Sequence, residues 1–365
     1  MSAIQEHADL ELKTVVTGMH LVSEYGNTVE DIEADGFDVD RRVHSEMAGD
    51  SGLTMAKGLG TGISGIAETF GELNPDAVLV LGDRDEAFAG GVAAAHMNVP
   101  VAHVHGGDTM RGAMIDDSIR HALTKFAHIH FPASKRSQNR ILKLGEEPWR
   151  VTLVGAPGLD RIREDEYSNP ESVTAEYGFN PNDPLVLVVQ HPVTTSPEDA
   201  GDQMETTLEA ITTLDADPEV AVIYPNSDPG NKQMIDVIER FAQNERIRTF
   251  RNLPRNEYLG LMAAADVMVG NSSSGIIEAP SLRVRVVDIG PRQANRERSS
   301  NTIAVEHDTD AIRTATNHCL AEALDIEEDG AYDNPYDHGH AGSKIADRLA
   351  SVELDEVLLR KQLTF

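Results

Sequence analysis

One cysteine, Cys319, stands in 365 residues. That excludes an internal disulfide framework and a cysteine zinc site, and the thiol by itself reads as a buried helical one. No apolar run approaches the roughly 20 residues needed to cross a bilayer. Met1-Ser-Ala-Ile-Gln-Glu6 has no basic stretch followed by an apolar one. A cytoplasmic enzyme with no membrane partner is therefore expected. Positive charge is scarce: 31 Lys and Arg, only 8 of them lysine, face 61 Asp and Glu, for a net charge of -30. So acidic a chain repels phosphate backbones at long range, which disfavours nucleic-acid binding through a general basic face, and no nucleic-acid partner is expected. The acids are scattered rather than gathered in a tail. That is the pattern of a hydrated surface suited to high salt, where repulsion is screened within about 3 Å at molar ionic strength. A melting temperature unchanged between molar and low salt would remove this expectation. With 40% hydrophobic residues the length is enough for two domains with real cores.

The richest stretch runs from Ala77 to Ala122. A buried strand, Ala77-Val-Leu-Val-Leu81, breaks at Gly82-Asp83-Arg84. A second, Val99-Pro-Val-Ala-His-Val104, breaks at His105-Gly-Gly-Asp108. A helix then opens with Ile115-Asp-Asp-Ser-Ile-Arg-His121. Apolar runs that each end in a polar, glycine-containing turn are what an open parallel α/β sheet looks like when its strand C-termini line a site. Each piece has a plainer reading. Asp83 after a glycine is a turn former or cap, and Asp116 and Asp117 in a first helical turn suit the helix dipole. His103 and His105, with Asp108, suggest a metal, but a lone H-x-H with no further ligand cluster is weak, and a metal-free polar site is expected. Convergence of three strand-end loops on one rim lifts Asp83, His105, Asp108 and the Asp116 pair above those readings.

Around this stretch the same alternation continues. Leu10–Thr17 reads as a strand, Leu53–Phe70 as a close-packing helix, His128–Phe131 and Val151–Val154 as strands, and Ser134–Leu144 as a helix. Arg163–Asp183 is polar and proline-containing, a crossing between domains. A second alternating unit follows. Leu185-Val-Leu-Val-Val189 ends in Gln190-His191-Pro192, where the proline holds His191 extended. Val220–Tyr224 ends in Pro225-Asn226. Asp266-Val-Met-Val269 enters Gly270-Asn-Ser-Ser-Ser-Gly275, where small hydroxyl residues let backbone N–H groups approach phosphate oxygens; an ordinary capped helix is the plain alternative. Val284–Ile289 enters Gly290-Pro-Arg-Gln-Ala-Asn-Arg-Glu-Arg298, a basic loop in an acidic protein. Asp308–Leu324 and Ser343–Leu359 read as terminal helices.

Gly82-Asp-Arg84, Ala102-His-Val-His-Gly-Gly107, Ile115–Lys125, Gln190-His-Pro-Val-Thr-Thr195, Pro225-Asn226, Gly270-Asn-Ser-Ser273, Glu278 and Arg292 together resemble the UDP-N-acetylglucosamine 2-epimerase family, and its hydrolysing branch more closely. The resemblance covers nearly the whole chain after residue 10. It implies an α/β fold of two Rossmann-like domains facing across a cleft, of the GT-B type. Residues 1–168 would be the sugar and acid/base side, 169–345 the UDP side, and 346–365 a helix packing back on the first domain. Family members open with a strand and a Gly-Thr-Arg turn. Met1–Asp9 shows no such strand, so the first domain is expected to lack its N-terminal strand, at about 1–3 kcal/mol per buried backbone group left unpaired.

The implied chemistry is loss of the C2 proton, departure of UDP from C1 to give a glycal, and return of water, yielding N-acetylmannosamine. Asp83, Asp116 and His191 match positions for acid/base work and sugar contact. His105 stands where other members often carry glutamate, with Asp108 supplying a carboxylate. Arg84, Ser272, Ser273 and Arg292 would hold the diphosphate and Glu278 the ribose hydroxyls, while Gly107 and Asn226 fall among the substrate-binding positions. The partner is a UDP-sugar, with no cofactor and no metal, in a homodimer. Alternatives remain: a UDP-N,N'-diacetylbacillosamine 2-epimerase, a non-hydrolysing UDP-GlcNAc 2-epimerase, a two-domain glycosyltransferase, and an inactive UDP-binding remnant.

Overall fold

Apolar runs of four or five residues alternate with helical stripes along most of the chain, and in the computed structural model they form two α/β units. The structure describes residues 1–23, 26–47, 52–109, 114–226, 228–323 and 332–365. The first unit comprises Met1–Thr109, Ile115–Asp160 and Tyr336–Phe365, and the second runs through Arg161–Pro335. Among the described residues no helix is long and apolar enough to cross a membrane.

Two parallel sheets make the first unit. β1 (Val15–Thr17) pairs with β2 (Arg41–Val43). β3 (Val78–Leu81), β4 (Val101–Val104) and β5 (Ile129–Phe131) form the other, with β4 in the middle. Every residue of β4 is buried, as befits a parallel strand covered on both faces. The sheets share one core: Val43, Val78 and Val80 pack with Ile66 and Phe70 of the helix Gly52–Leu73 and Ala93 of the helix Asp85–His96. Glycine permits that approach, since a Cβ on Gly65 would stand 2.7 Å from Val43 Cγ1. Among the described residues no strand is hydrogen-bonded between β1 and β3. Leu79 and Leu81 on β3 are accordingly 39% and 59% exposed.

β6 (Leu185–Val189), β7 (Glu219–Ile223), β8 (Ile247–Phe250), β9 (Val267–Gly270), β10 (Arg285–Ile289) and β11 (Thr302–Val305) make one parallel sheet in the second unit, ordered β11-β10-β9-β6-β7-β8. β6 is buried at every position, and each fully buried Leu or Val contributes about 1.5–3 kcal/mol. The chain leaves β6 toward β7 and β8, then returns to lay β9 on the other side. Strand order thus reverses between β6 and β9, and ligands of open α/β sheets bind outside the strand C-termini at such a reversal.

The structure departs from the sequence reading at several places, and of the expected strand Leu10–Thr17 only Val15–Thr17 forms. Val151–Val154 is no strand: it runs beside β5 with a single bridge from Val151 to His130, donating from Thr152 N to His130 O and from Val154 N to Pro132 O. Pro132 has no N–H to return a bond, so the ladder stops. The terminal helix splits into Ala341–Ser351 and Glu356–Leu359, because the Asp355 side chain accepts from Leu358 N and caps a new start. β11 has no counterpart in the sequence reading, since its half-exposed Thr-Ile-Ala-Val lacks a clear period. Leu324, the end expected for the preceding terminal helix, lies outside the described residues; the helix is seen as Thr309–Ala323.

Candidate active site

In the first unit the strand-end turns carry the charged groups. Gly82 (φ +82°) ends β3 and His105 (φ +62°) and Gly107 (φ +80°) follow β4, all left-handed. A Cβ on Gly107 would strike the Ser137 carbonyl, so only glycine fits there. The turns are pinned from behind. Ser137 Oγ donates to Asp108 Oδ1 at 2.5 Å, Arg140 donates to Gly107 O, and His105 Nδ1 lies 3.4 Å from Asp108 Oδ2. Both Ser137 and Arg140 belong to the helix Lys135–Lys143. Arg84 occupies the N-cap of the helix Asp85–His96, where its charge partly offsets the burial that raises the Asp85 and Glu46 carboxyls.

The helix Met114–Phe126 supplies a group that the sequence reading missed. Arg120, only 2% exposed, binds Asp83 through Nη2 and Asp117 through Nη1, the latter at 2.8 Å; Thr109 Oγ1 donates to the second Asp117 oxygen at 2.7 Å. One guanidinium thus holds two carboxylates in fixed orientation on a partly buried rim. The D-x-x-R spacing of Asp117 and Arg120, an i,i+3 ion pair on a helix, was the available signal. Asp116 is half-buried in the same first turn.

The second unit places its residues at the reversal between β6 and β9. Asn271 clamps His191 from both sides of the backbone: His191 N donates to Asn271 Oδ1 at 2.7 Å, and Asn271 Nδ2 donates to His191 O at 2.9 Å. Asn226 N donates to His191 Nδ1 at 3.1 Å. Nδ1 is therefore the acceptor, and Nε2 carries the proton of the neutral ring. Arg292 Nη1 and Gln293 Nε2 both donate to Asn271 O, at 3.1 and 2.9 Å, docking the basic loop on the Gly270–Ser274 turn. Ser272 caps the next helix by accepting from Ser274 N at 3.3 Å. That helix, Ser273–Ile277, has five residues, so the turn's donors and hydroxyls count for more than a helix dipole. Glu278 is paired with Arg255 at 2.6 Å, and Arg255, too, was missed. Burial pushes Asp288 up to about 6, against Arg298, which it binds at the base of the basic loop. Among the described residues, no group of three or more His, Cys, Asp or Glu is placed to hold a metal ion.

A sequence profile described as UDP-N-acetylglucosamine 2-epimerase matches residues 2–350. The chain belongs to that family. It is 37% identical over 361 residues to a "UDP-N,N'-diacetylbacillosamine 2-epimerase (hydrolyzing)" of Legionella pneumophila, covering 99% of this chain and 93% of the relative. It is 31% identical to a "UDP-N-acetylglucosamine 2-epimerase" of Neisseria meningitidis serogroup B, covering 90% and 86%. The crystal structure of UDP-GlcNAc 2-epimerase from Neisseria meningitidis bound to UDP-GlcNAc superposes with a TM-score of 0.79 at 17% identity, over 95% of this chain and 93% of that one. This last likeness speaks for the fold, and the parallel sheets of both units agree with two Rossmann-like domains. The resemblance read from Gly82-Asp-Arg84, the His105 turn and the Asp116 helix is thus that of a genuine family member.

Proposed function

We propose that this epimerase-family chain is the hydrolysing kind, converting UDP-N-acetylglucosamine to UDP and N-acetylmannosamine. The observation that carries the reading is the Asp83–Arg120–Asp117 cluster, in which one buried guanidinium orients two partly buried carboxylates on the rim. In this reading a carboxylate of the first unit takes the C2 proton. The C1–O bond breaks with its electron pair leaving on UDP, and a glycal remains. Water then adds hydroxyl at C1 while a proton returns to C2 from the opposite face. Asp83, Asp116 and the His105–Asp108 pair serve the proton transfers, and His191 Nε2–H donates toward the departing oxygen. Arg84, Gly107, Asn226, Ser272, Ser273 and Arg292 hold the diphosphate and sugar, and Glu278, steadied by Arg255, accepts the ribose hydroxyls.

A second substrate, UDP-N,N'-diacetylbacillosamine, is favoured by the 37% identical relative of Legionella pneumophila, which is named for it. Proton NMR in D2O, with each nucleotide sugar supplied separately, tests both. The expected result is free UDP and a free 2-epimeric sugar deuterated at C2. Epimeric UDP-sugar without free UDP would replace hydrolysis by plain epimerisation, and no consumption of either compound would overturn the reading.

A further inference from the structure

The first unit's site rests on two turns, Gly82-Asp83-Arg84 after β3 and His105–Asp108 after β4. One fully buried side chain, His103, stands between them. It sits on β4 opposite Val80 of β3 and His130 of β5, with 0% exposure. Its Nε2 lies 2.7 Å from Gly82 O, while Gly82 N donates to Val104 O at 3.0 Å. Gly82 is thus gripped on both sides just before Asp83. On the far edge of the same ring, a Cβ on Gly106 would lie 3.0 Å from Nδ1, so the imidazole is wedged against the second turn as well. Nδ1 is buried with no hydrogen-bond partner among the described residues.

The chemistry of that placement follows from the acceptor. A carbonyl oxygen can only accept, so Nε2 carries the hydrogen and Nδ1 holds a lone pair. Burial pushes the ring to about 4, against the bond to Gly82, so it stays neutral at physiological pH. A buried polar atom left without a partner is destabilising by about 1–3 kcal/mol. An apolar side chain would fill this place without that cost, and among the described residues the one polar contact the histidine gains is Gly82 O.

We propose that His103 is a positioning residue of the reaction: by donating from Nε2 to Gly82 O and wedging against Gly106, it fixes the two turns that aim Asp83 and His105–Asp108. This rests on the epimerase reading given above. His103 itself touches no reacting atom. Misplacement of a reacting group by about 1 Å can cost on the order of a hundredfold in rate.

Three variants test it. In His103→Gln the amide nitrogen falls near the place of Nε2, in His103→Asn near that of Nδ1, and His103→Met has no donor. We expect kcat to fall by about thirtyfold or more in His103→Asn and His103→Met with KM within about threefold, and to recover to within about fivefold of wild type in His103→Gln. Peptide-level hydrogen exchange supplies a readout that needs no activity. The segments containing Gly82–Arg84 and His105–Asp108 should exchange faster in the Asn and Met variants and as in wild type in the Gln variant. If the Met variant does not fold, the Gln and Asn pair alone decides. Equal kcat and equal exchange in Gln and Asn would overturn the proposal. An inert wild type showing the expected exchange pattern would instead remove the epimerase reading and leave the positioning role standing.

Discussion

Two buried ion clusters in the first unit have opposite stoichiometry. At the rim one cation, Arg120, is shared by two carboxylates, Asp83 and Asp117. Beside the C-terminal end of the helix Met114–Phe126 one carboxylate, Glu146, is shared by Lys125 and Lys361, each at 2.7 Å, and by His130 Nε2 at 3.1 Å. Burial lowers the His130 ring, so it donates as a neutral group. The rim therefore presents two carboxylates oriented by one guanidinium. The Glu146 cluster carries one excess positive charge around an acid with no capacity to spare. Lys361 also donates to the carbonyls of Thr124, Lys125 and Ala127, at 3.0, 3.0 and 2.6 Å. It thereby caps the C-terminus of the helix whose N-terminal half bears Asp117 and Arg120. Two carboxylates on one guanidinium suit the proposed chemistry, and one carboxylate under two ammonium groups attaches the chain's end.

The largest expected effect breaks the rim. Asp83→Asn should lower turnover by more than about a hundredfold, roughly 3 kcal/mol on the barrier, with UDP affinity retained. His191→Ala should do the same from the second unit. Steady-state kinetics with UDP titration calorimetry checks both, and near-normal turnover in either variant contradicts its role.

Next in size is the Glu146 cluster. Glu146→Gln leaves two ammonium groups around a neutral amide, and breaking a buried pair costs roughly 3–5 kcal/mol. We expect a large fall in melting temperature and turnover per folded molecule within about twofold. The pH dependence has a definite sign. Burial alone would raise Glu146, but hydrogen bonds from His130, Lys125 and Lys361 bring it from 4.5 to about 2. A carboxyl depressed in the fold contributes stability above its unfolded value, and that contribution fades as pH falls from 4.5 through about 2. Its upper bound is roughly 3 kcal/mol. Burial lowers Lys361 as well, which opposes this gain while the ammonium is charged. The three carbonyls around it favour the charged form, so we hold both groups ionised at neutral pH. Wild type should lose stability between pH 4.5 and 2 more steeply than Glu146→Gln, as followed by circular dichroism.

The two clusters also differ in how far they could be read in advance. Asp83, His105 and Asp108 announce themselves as polar groups ending apolar runs, because strand C-termini are local in sequence. Arg120 sits three residues from Asp117 and was legible as a helical pair, yet nothing local says that it also reaches Asp83, 37 positions away. Glu146 and Lys361 are joined by tertiary packing alone, and no period or motif links them. The same holds for Asn271 and His191, 80 positions apart, whose meeting is created by the strand-order reversal. Local grammar gave the strands and their turns; partners across the sheet needed the fold.

A smaller effect contrasts the charged rim with the neutral clamp of the second unit. Ser272→Ala removes the cap of the Ser273–Ile277 helix, worth about 1 kcal/mol. It should weaken UDP binding by about fivefold with little change in kcat. Unchanged affinity would detach this turn from the diphosphate.

The smallest effect separates both buried clusters from the surface. A net charge of -30 repels itself over about 30 Å at 0.01 M salt and about 3 Å at 1 M. Wild type should therefore melt several degrees higher in molar KCl than in dilute buffer. Glu146 is 1% exposed, so ions cannot screen it to the same degree. The gap in melting temperature between wild type and Glu146→Gln should stay the same in both salts even as the two curves move up together. A gap that halves in molar salt would mean that ions reach Glu146, and the contrast between a solvated acidic surface and a sealed cationic cluster would fail. A wild-type melting temperature indifferent to salt would remove the surface half of the contrast and leave the buried half intact.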